Sequence, residues 1–525
     1  MRKSPLGILL SVLLLAALAP WRVCGDISLP PVLSSHMVLQ REMPAPVWGT
    51  AAPGEKISVK FRDQEKHTTA DAAGKWMVKL DALKAGGPDV MTIIGSNVLT
   101  LEDVLVGEVW LGSGQSNMET YMNFYKDDQL DKVVAAGPYP RLRVIKSDAK
   151  TKNPVWLTAT NEAIPVFPAQ AFVFGVQLQK ELDVPVGLVI GAIGGTPAAP
   201  WIPADAYAHD SEFRKEVDRL AASSYYTNAV KKYEQDKAKY DVAAEELKKQ
   251  GKNPGWPPPF PLKPGEANSP KEISYLYAQH IEPFVPYAVR GVLWDQGESG
   301  TALGGINHYV AMGVLIRGWR HAWGRDDLPF LVVQKPSGGG SALNPADPVT
   351  CRAYGWHPQP ATLPDAADMA AGLEREIYQR IREYPHTFLI TSMDIGAGLH
   401  PYKYGYGVRD ARVALSAVYG REAEIYGPIY KSAKVEGNKI RLSLTHIGPG
   451  LVISHGDKLQ GFLIAGADQA FQWGVAVIDG DTVVVSSDKV PEPVAVRYAW
   501  RSDFPWANLF SKNGLPTLTF RTDTW

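Results

Sequence analysis

Residues Val104-Leu105-Val106-Gly107-Glu108-Val109-Trp110-Leu111 form a mostly apolar, partly β-branched run, and Gly112-Ser113-Gly114-Gln115-Ser116-Asn117-Met118-Glu119 follows directly. The run reads as a buried strand that breaks at the two glycines. A strand that leaves through a Gly-rich turn into a helix holds a serine hydroxyl exposed, beside open backbone N–H groups. A nucleophilic serine needs that setting, because the same N–H groups stabilise an oxyanion. Taken alone, a Gly-x-Ser of this kind reads better as a polar turn, with Ser116 or Asn117 as the N-cap of a helix. A nucleophile here also requires a base, further oxyanion donors and a pocket from the rest of the chain.

From Val104 onward, apolar runs alternate with amphipathic stretches. The runs are Val104 to Leu111, Leu142 to Ile145, Val184 to Ile190, Val289 to Trp294, Leu328 to Gln334 and Thr387 to Met393. The stretches between them include Ala169 to Leu182, Tyr275 to Phe284 and Tyr309 to His321. This alternation predicts an α/β domain over residues 104–422, with a mostly parallel sheet covered on both faces. Ligands bind such sheets beyond the carboxyl ends of the strands. Ser116, Gly194-Gly195, Gln296 and Asp394 all lie just after such runs. Two insertions are expected in this domain, at about 208–270 and 337–364. The first carries a Lys-, Glu- and Ala-rich segment read as solvated helices, and the second is a Gly-, Ser- and Pro-rich loop. Residues 26–103 and 423–525 carry short strand-like runs punctuated by Gly, Pro and Asn turns, and each reads as a β-sandwich.

The chain has 525 residues, 45% hydrophobic and 21% charged, which suits a globular protein of several domains. A formal net charge of −1 gives no reason to expect nucleic acid or an anionic membrane as partner. Its 15 tryptophans and 22 tyrosines suit both sugar stacking and β-domain cores, the latter being the default. Arg2 and Lys3, the apolar run Leu6 to Leu18, and Val23 with Gly25 before Asp26 read as a signal peptide over residues 1–25. Its removal takes Cys24 and leaves Cys351 without a cysteine partner, so no internal disulfide is expected. Export without disulfides points to a bacterial periplasm or exterior. No membrane attachment is expected after cleavage.

Three further blocks carry chemistry. Val184 to Pro197 ends in Gly194-Gly195-Thr196-Pro197, paired glycines that let a backbone N–H face a cleft. Val292-Leu293-Trp294-Asp295-Gln296-Gly297-Glu298-Ser299-Gly300 follows another strand. There Gln296 has an amide N–H suited to an oxyanion, and Glu298 reads as an orienting acid or a simple loop charge. Ser392 to Pro401 holds Asp394 and His400, which would complete an acyl-transfer triad in the order Ser, Asp, His.

Together the blocks Gly-Gln-Ser-Asn-Met, Gly-Gly-Thr-Pro, Trp-x-Gln-Gly-Glu-Ser and Asp…His-Pro resemble the sialate O-acetylesterase family, a branch of the SGNH-type hydrolases. The resemblance covers nearly the whole mature chain. It includes Met37-Val38-Leu39-Gln40 with Val47-Trp48-Gly49 at the start. At the end it includes Val496-Arg497-Tyr498-Ala499-Trp500, Ala507-Asn508-Leu509 and Gly514-Leu515-Pro516. It implies an SGNH-like three-layer αβα domain between two β-domains, with Ser116 as nucleophile and His400 as general base. It also implies an oxyanion site lined by the backbone around Ser116, including Gln115 and Asn117, by Gly194-Gly195 and by Gln296. The chain departs from the family at two places. Gly300 stands where members often have Asn, and Ala397 and Gly398 stand where related esterases often have an Asp before the His. Asp394 is thus one candidate to orient His400; a backbone carbonyl and Glu298 are the others.

The expected function is removal of O-acetyl groups from sugars, through an acetyl-serine, without a metal or organic cofactor. O-acetylated sialic acid and acetylated plant or algal polysaccharide are both open as substrates. A sialate carboxylate would want an arginine, and Arg409 and Arg412 are candidates, although both also read as helix-surface residues. A non-catalytic carbohydrate-binding protein on the same scaffold is the alternative.

Overall fold

A computed structural model describes residues 26–147 and 153–525. The expected signal segment, residues 1–25, lies outside the described residues. Seven strands form the central sheet: β1 Val98–Gly114, β2 Tyr139–Ser147, β3 Trp156–Ala159, β4 Val186–Ala192, β5 Gly291–Asp295, β6 Phe330–Val333 and β7 Thr387–Ile390. Their order is β7-β6-β5-β1-β4-β2-β3, parallel throughout except for the antiparallel pair β2–β3. Each apolar run of the α/β segment falls on one of these strands. The sheet is covered on both sides, which is why β4, β5 and β6 are buried along their whole length.

Alternation along β1 separates the two cores. Trp110 points into the layer made by the helices α2 (Ala169–Leu182) and α5 (Lys403–Ala417), with Phe172, Phe174, Leu188 and Tyr406. Val109 and Leu111 point the other way, towards α3 (His308–Trp323) and the cluster Trp201, Trp294 and Trp319. Many of the tryptophans thus fill the core. The fold is the three-layer αβα arrangement expected.

The strand β1 is longer than its apolar run. Its first part pairs antiparallel with Gly86–Ile94, and its middle pairs in parallel with Val38–Gln40. The boundary expected between residues 103 and 104 therefore falls inside a strand, and the N-terminal β unit is continuous with the central sheet. Asp103 marks the place, with φ +56°. Arg143 donates to its carboxylate (2.8 Å) and to the His36 carbonyl (2.8 Å).

Residues Ile429–Arg521 form two four-stranded sheets and a two-stranded one, all antiparallel. The sheets share a core that includes Leu442, Val483, Phe462, Ile464 and Val496. The Lys- and Glu-rich insertion is helical, and its 25-residue helix Tyr225–Lys249 buries only Ala244. The 337–364 segment lacks helix and strand, yet its start is packed. Gly338 N–H donates to Ser392 O (3.1 Å) and Gly340 N–H to Met393 O (2.9 Å), so it lies along the loop that carries His400.

Glu108 joins the N-terminal unit to the sheet. Its buried carboxylate accepts from Arg41 Nε (2.6 Å), Gln40 Nε2 (3.0 Å), Arg290 Nε (2.8 Å) and Tyr419 OH (2.9 Å). Burial alone would raise its pKa; the bonds and charge from Arg290, with Arg41 and Gln40, outweigh that and hold it below the ordinary glutamate range. As pH falls, the unfolded chain takes up this proton first. The stabilisation is therefore complete above the ordinary range and is lost as pH falls through the folded value. Glu108→Gln is expected to cost about 2–3 kcal/mol in urea unfolding at neutral pH, and less in acid.

Candidate active site

Ser116 opens the four-residue helix α1, Ser116–Glu119, at the carboxyl end of the central strand β1. The break that puts it there needs glycine. Gly114 has φ +126°, and a Cβ on it would stand 2.2 Å from the Asp295 carbonyl of β5. Gln115 N–H donates to that same carbonyl (3.0 Å), and the Gln115 carbonyl accepts from Met118 N–H (2.9 Å) and Glu119 N–H (3.1 Å). Within Gln115-Ser116-Asn117-Met118 the three neighbours are buried and Ser116 alone is half-buried. Gln115 and Asn117, expected near substrate, thus point their side chains inward.

Asn117 is held at both ends of its amide. Its Nδ2 donates to Glu298 Oε1 (2.9 Å), and its Oδ1 accepts from Lys403 Nζ (2.8 Å). Behind these partners lies a buried charged network. Lys335 Nζ is 2.6 Å from Glu298 Oε1 and 2.7 Å from Asp295 Oδ1. Lys403 Nζ also donates to Gln170 Oε1 (3.3 Å), whose Nε2 donates to Asp410 (2.9 Å). Burial disfavours the Lys335 ammonium, but Asp295 and Glu298 outweigh it and hold its pKa well above the lysine range. Burial pulls Lys403 down to about 8, with Lys335 adding to the fall and the carboxylates opposing it. Burial likewise raises Asp410 well above the carboxylate range.

Gly194 lies against Ser116. A Cβ there would stand 3.3 Å from Ser116 Cβ and 3.0 Å from Glu119 Oε2, so only glycine fits without displacement. Its N–H donates to Glu119 Oε2 at 2.6 Å. Gly195 is exposed, with φ +73° and no atom within 4 Å of its Cβ position. Gln296 is placed differently from expectation. Its Nε2 donates to Gly300 O (2.9 Å) and Thr196 O (3.3 Å), so both amide hydrogens tie loops together and neither is left for an oxyanion. Glu298 is taken up with Asn117 and Lys335 rather than with His400.

His400 is half-buried, and its ring lies 5.4 Å from that of Phe124, at 74° to it, just beyond α1. Among the described residues neither the Ser116 hydroxyl nor the His400 ring makes a hydrogen bond. Asp394 is not the partner of His400. Its two carboxylate oxygens accept from Arg409 at 2.9 and 3.2 Å, a buried pair that ties the loop to α5. Arg409 also donates to Thr391 Oγ1 (3.0 Å), so it is neither a surface arginine nor open to a substrate carboxylate. Lys335, Lys403 and Glu119 were not singled out from sequence. The available signal was position: Lys335 lies two residues beyond β6, and Lys403 lies three residues beyond His400.

An αβα parallel sheet with a serine-bearing turn at the end of its central strand is the layout of the SGNH-type hydrolases. No family model matches the chain. It is 30% identical to a carbohydrate acetylesterase from Xanthomonas citri, with a TM-score of 0.72 over 95% of this chain and 100% of that one. It is 25% identical to sialate O-acetylesterase of Homo sapiens, over 89% of this chain and 86% of the human protein. It is 27% identical to the Mus musculus sialate O-acetylesterase, over 58% of this chain and 59% of that protein. The chain belongs to the sialate O-acetylesterase family, and it is an esterase. No helix among the described residues is long and apolar enough to cross a membrane.

Proposed function

We propose that the protein removes O-acetyl groups from carbohydrate through an acetyl-serine on Ser116. The observation that carries this reading is the contrast at the end of β1, where one half-buried serine stands among three buried neighbours and the next residue is pinned at both ends of its side chain. A nucleophile held this way needs little reorganisation before attack.

His400 takes the Ser116 proton as Oγ attacks the acetyl carbonyl carbon. The backbone N–H groups of Ser116 and Gly195 receive the tetrahedral oxyanion. The C–O bond to the sugar then breaks, and the imidazolium returns its proton to the departing sugar oxygen. Water, deprotonated by His400, attacks the acetyl-serine and releases acetate with the serine regenerated.

The substrate reading favours a neutral acetylated polysaccharide over an acetylated sialic acid. Arg409 is spent on Asp394, and Arg412 Nε donates to the Glu424 carbonyl (2.7 Å), so neither supports recognition of a sialate carboxylate. Acetate release from acetylated xylan is expected to exceed that from 9-O-acetylated sialic acid by about tenfold or more in kcat/KM, since a carboxylate left without a charged hydrogen-bond partner costs about 1.5–3 kcal/mol. Preference for the sialic acid would overturn this assignment and leave the serine mechanism standing.

A further inference from the structure

The turn Ile193–Thr196 is fixed group by group. Ile193 N–H donates to Gly114 O (3.2 Å), at the end of the strand that delivers Ser116. Thr196 Oγ1 donates back to Ile193 O (2.7 Å) and accepts from Trp201 Nε1 (3.1 Å). Gln296 Nε2 also donates to Thr196 O (3.3 Å), and one further tie is of another kind. Gly194 N–H donates to the Glu119 carboxylate at 2.6 Å, and Glu119 sits on α1 three residues beyond Ser116. Hydrogen bonds to an ionised acceptor are short and roughly twice as strong as neutral ones. They therefore fix geometry better than the neutral ties around this one. The nucleophile and the glycine turn are thus joined directly, in addition to their shared sheet.

We propose that Glu119 is a positioning residue, which engages the Gly194 N–H from the nucleophile's own helix and thereby sets the Gly195 N–H to receive the oxyanion above Ser116. The proposal rests on Ser116 being the nucleophile. Electrostatics separates the two glycines. An oxyanion brought to the Gly194 N–H would meet the Glu119 carboxylate already there, and two like charges sharing one donor repel. Gly195 N–H carries no such partner among the described residues, and no atom lies within 4 Å of where its Cβ would stand. A turn that loses the Glu119 tie keeps its other anchors, so the fold survives while the donor drifts from the acetyl carbonyl.

The test measures kcat and KM separately with p-nitrophenyl acetate for the intact protein, Glu119→Ala and Glu119→Gln, with thermal unfolding alongside. Glu119→Ala is expected to lower kcat about tenfold to a hundredfold, with KM changed less than about twofold, since an oxyanion donor acts on the transition state. Glu119→Gln keeps an acceptor oxygen and is expected to recover most of that loss. Unchanged or raised kcat in Glu119→Ala overturns the proposal, because the carboxylate is then a bystander or a competitor for the donor. A rise in KM alone also overturns it. If Glu119→Ala does not fold, Glu119→Gln decides: kcat within about fivefold of the parent supports the clamp, and complete loss overturns it. Ser116→Ala, run in parallel, separates this outcome from failure of the nucleophile assignment, since retained activity there removes the premise.

Discussion

Ser116→Ala is expected to lower acetyl-ester turnover by at least about 10⁴-fold while the protein stays folded. The substitution removes one oxygen from a half-buried position and makes no cavity in either core, because Gln115, Asn117 and Met118 carry the packing at the turn. The hydroxyl itself makes no hydrogen bond among the described residues, so stability has little to lose with it. A residual rate above water is expected, since the N–H donors remain and still hold a carbonyl. Initial rates with p-nitrophenyl acetate, together with thermal unfolding of both proteins, check this. An equal Tm with turnover lost is the expected pattern.

Lys335→Met is expected to destabilise the fold by about 3–5 kcal/mol in urea unfolding, because it strands two carboxylates that the ammonium now balances. Asp295 is fully buried, and Glu298 holds the amide of Asn117 through the same oxygen that binds Lys335. Removing the cation leaves the Asp295 charge with Lys403 as its remaining nearby compensation. Turnover is expected to fall as well, because Glu298 loses the group that fixes it and Asn117 is then held from one side. The double variant Lys335→Met with Asp295→Asn removes charge from both partners. It is expected to lose less than the sum of the two single losses, by at least about 1 kcal/mol. Additive losses would mean that the pair is not coupled.

The sheet was legible because its strands are buried on both faces. Mostly apolar runs of four to eight residues, alternating with amphipathic stretches, leave few other readings. The length of β1 was not legible, since Thr100, Glu102 and Asp103 break the apolar pattern where the strand leaves the central layers for the N-terminal unit. The strand-end turn that carries Ser116 was legible from its glycines, whereas reading that serine as a nucleophile drew on the other blocks. The surroundings of Ser116 were not legible, because partners from different loops carry no local signal. Asp394 looked like an acid for His400 on proximity in sequence alone. Arg409, fifteen residues later and one helix away, takes both of its oxygens. Gln296 was read by residue type, and two backbone carbonyls claim its hydrogens. Lys335 and Lys403 follow strand or loop ends where a lysine ordinarily reaches solvent. Burial here is set by carboxylates contributed from β5 and its following loop, and no periodicity reports that.

In the proposed reaction Ser116 attacks the ester. A fluorophosphonate probe reacts with an activated serine and stays attached, so peptide mapping by mass spectrometry after labelling reads the nucleophile directly. One label per chain is expected, on the peptide that contains Ser116, with loss of turnover in step with labelling and no label in Ser116→Ala. Turnover that persists after complete labelling of Ser116, or a label on another residue that tracks the loss of activity, would contradict it.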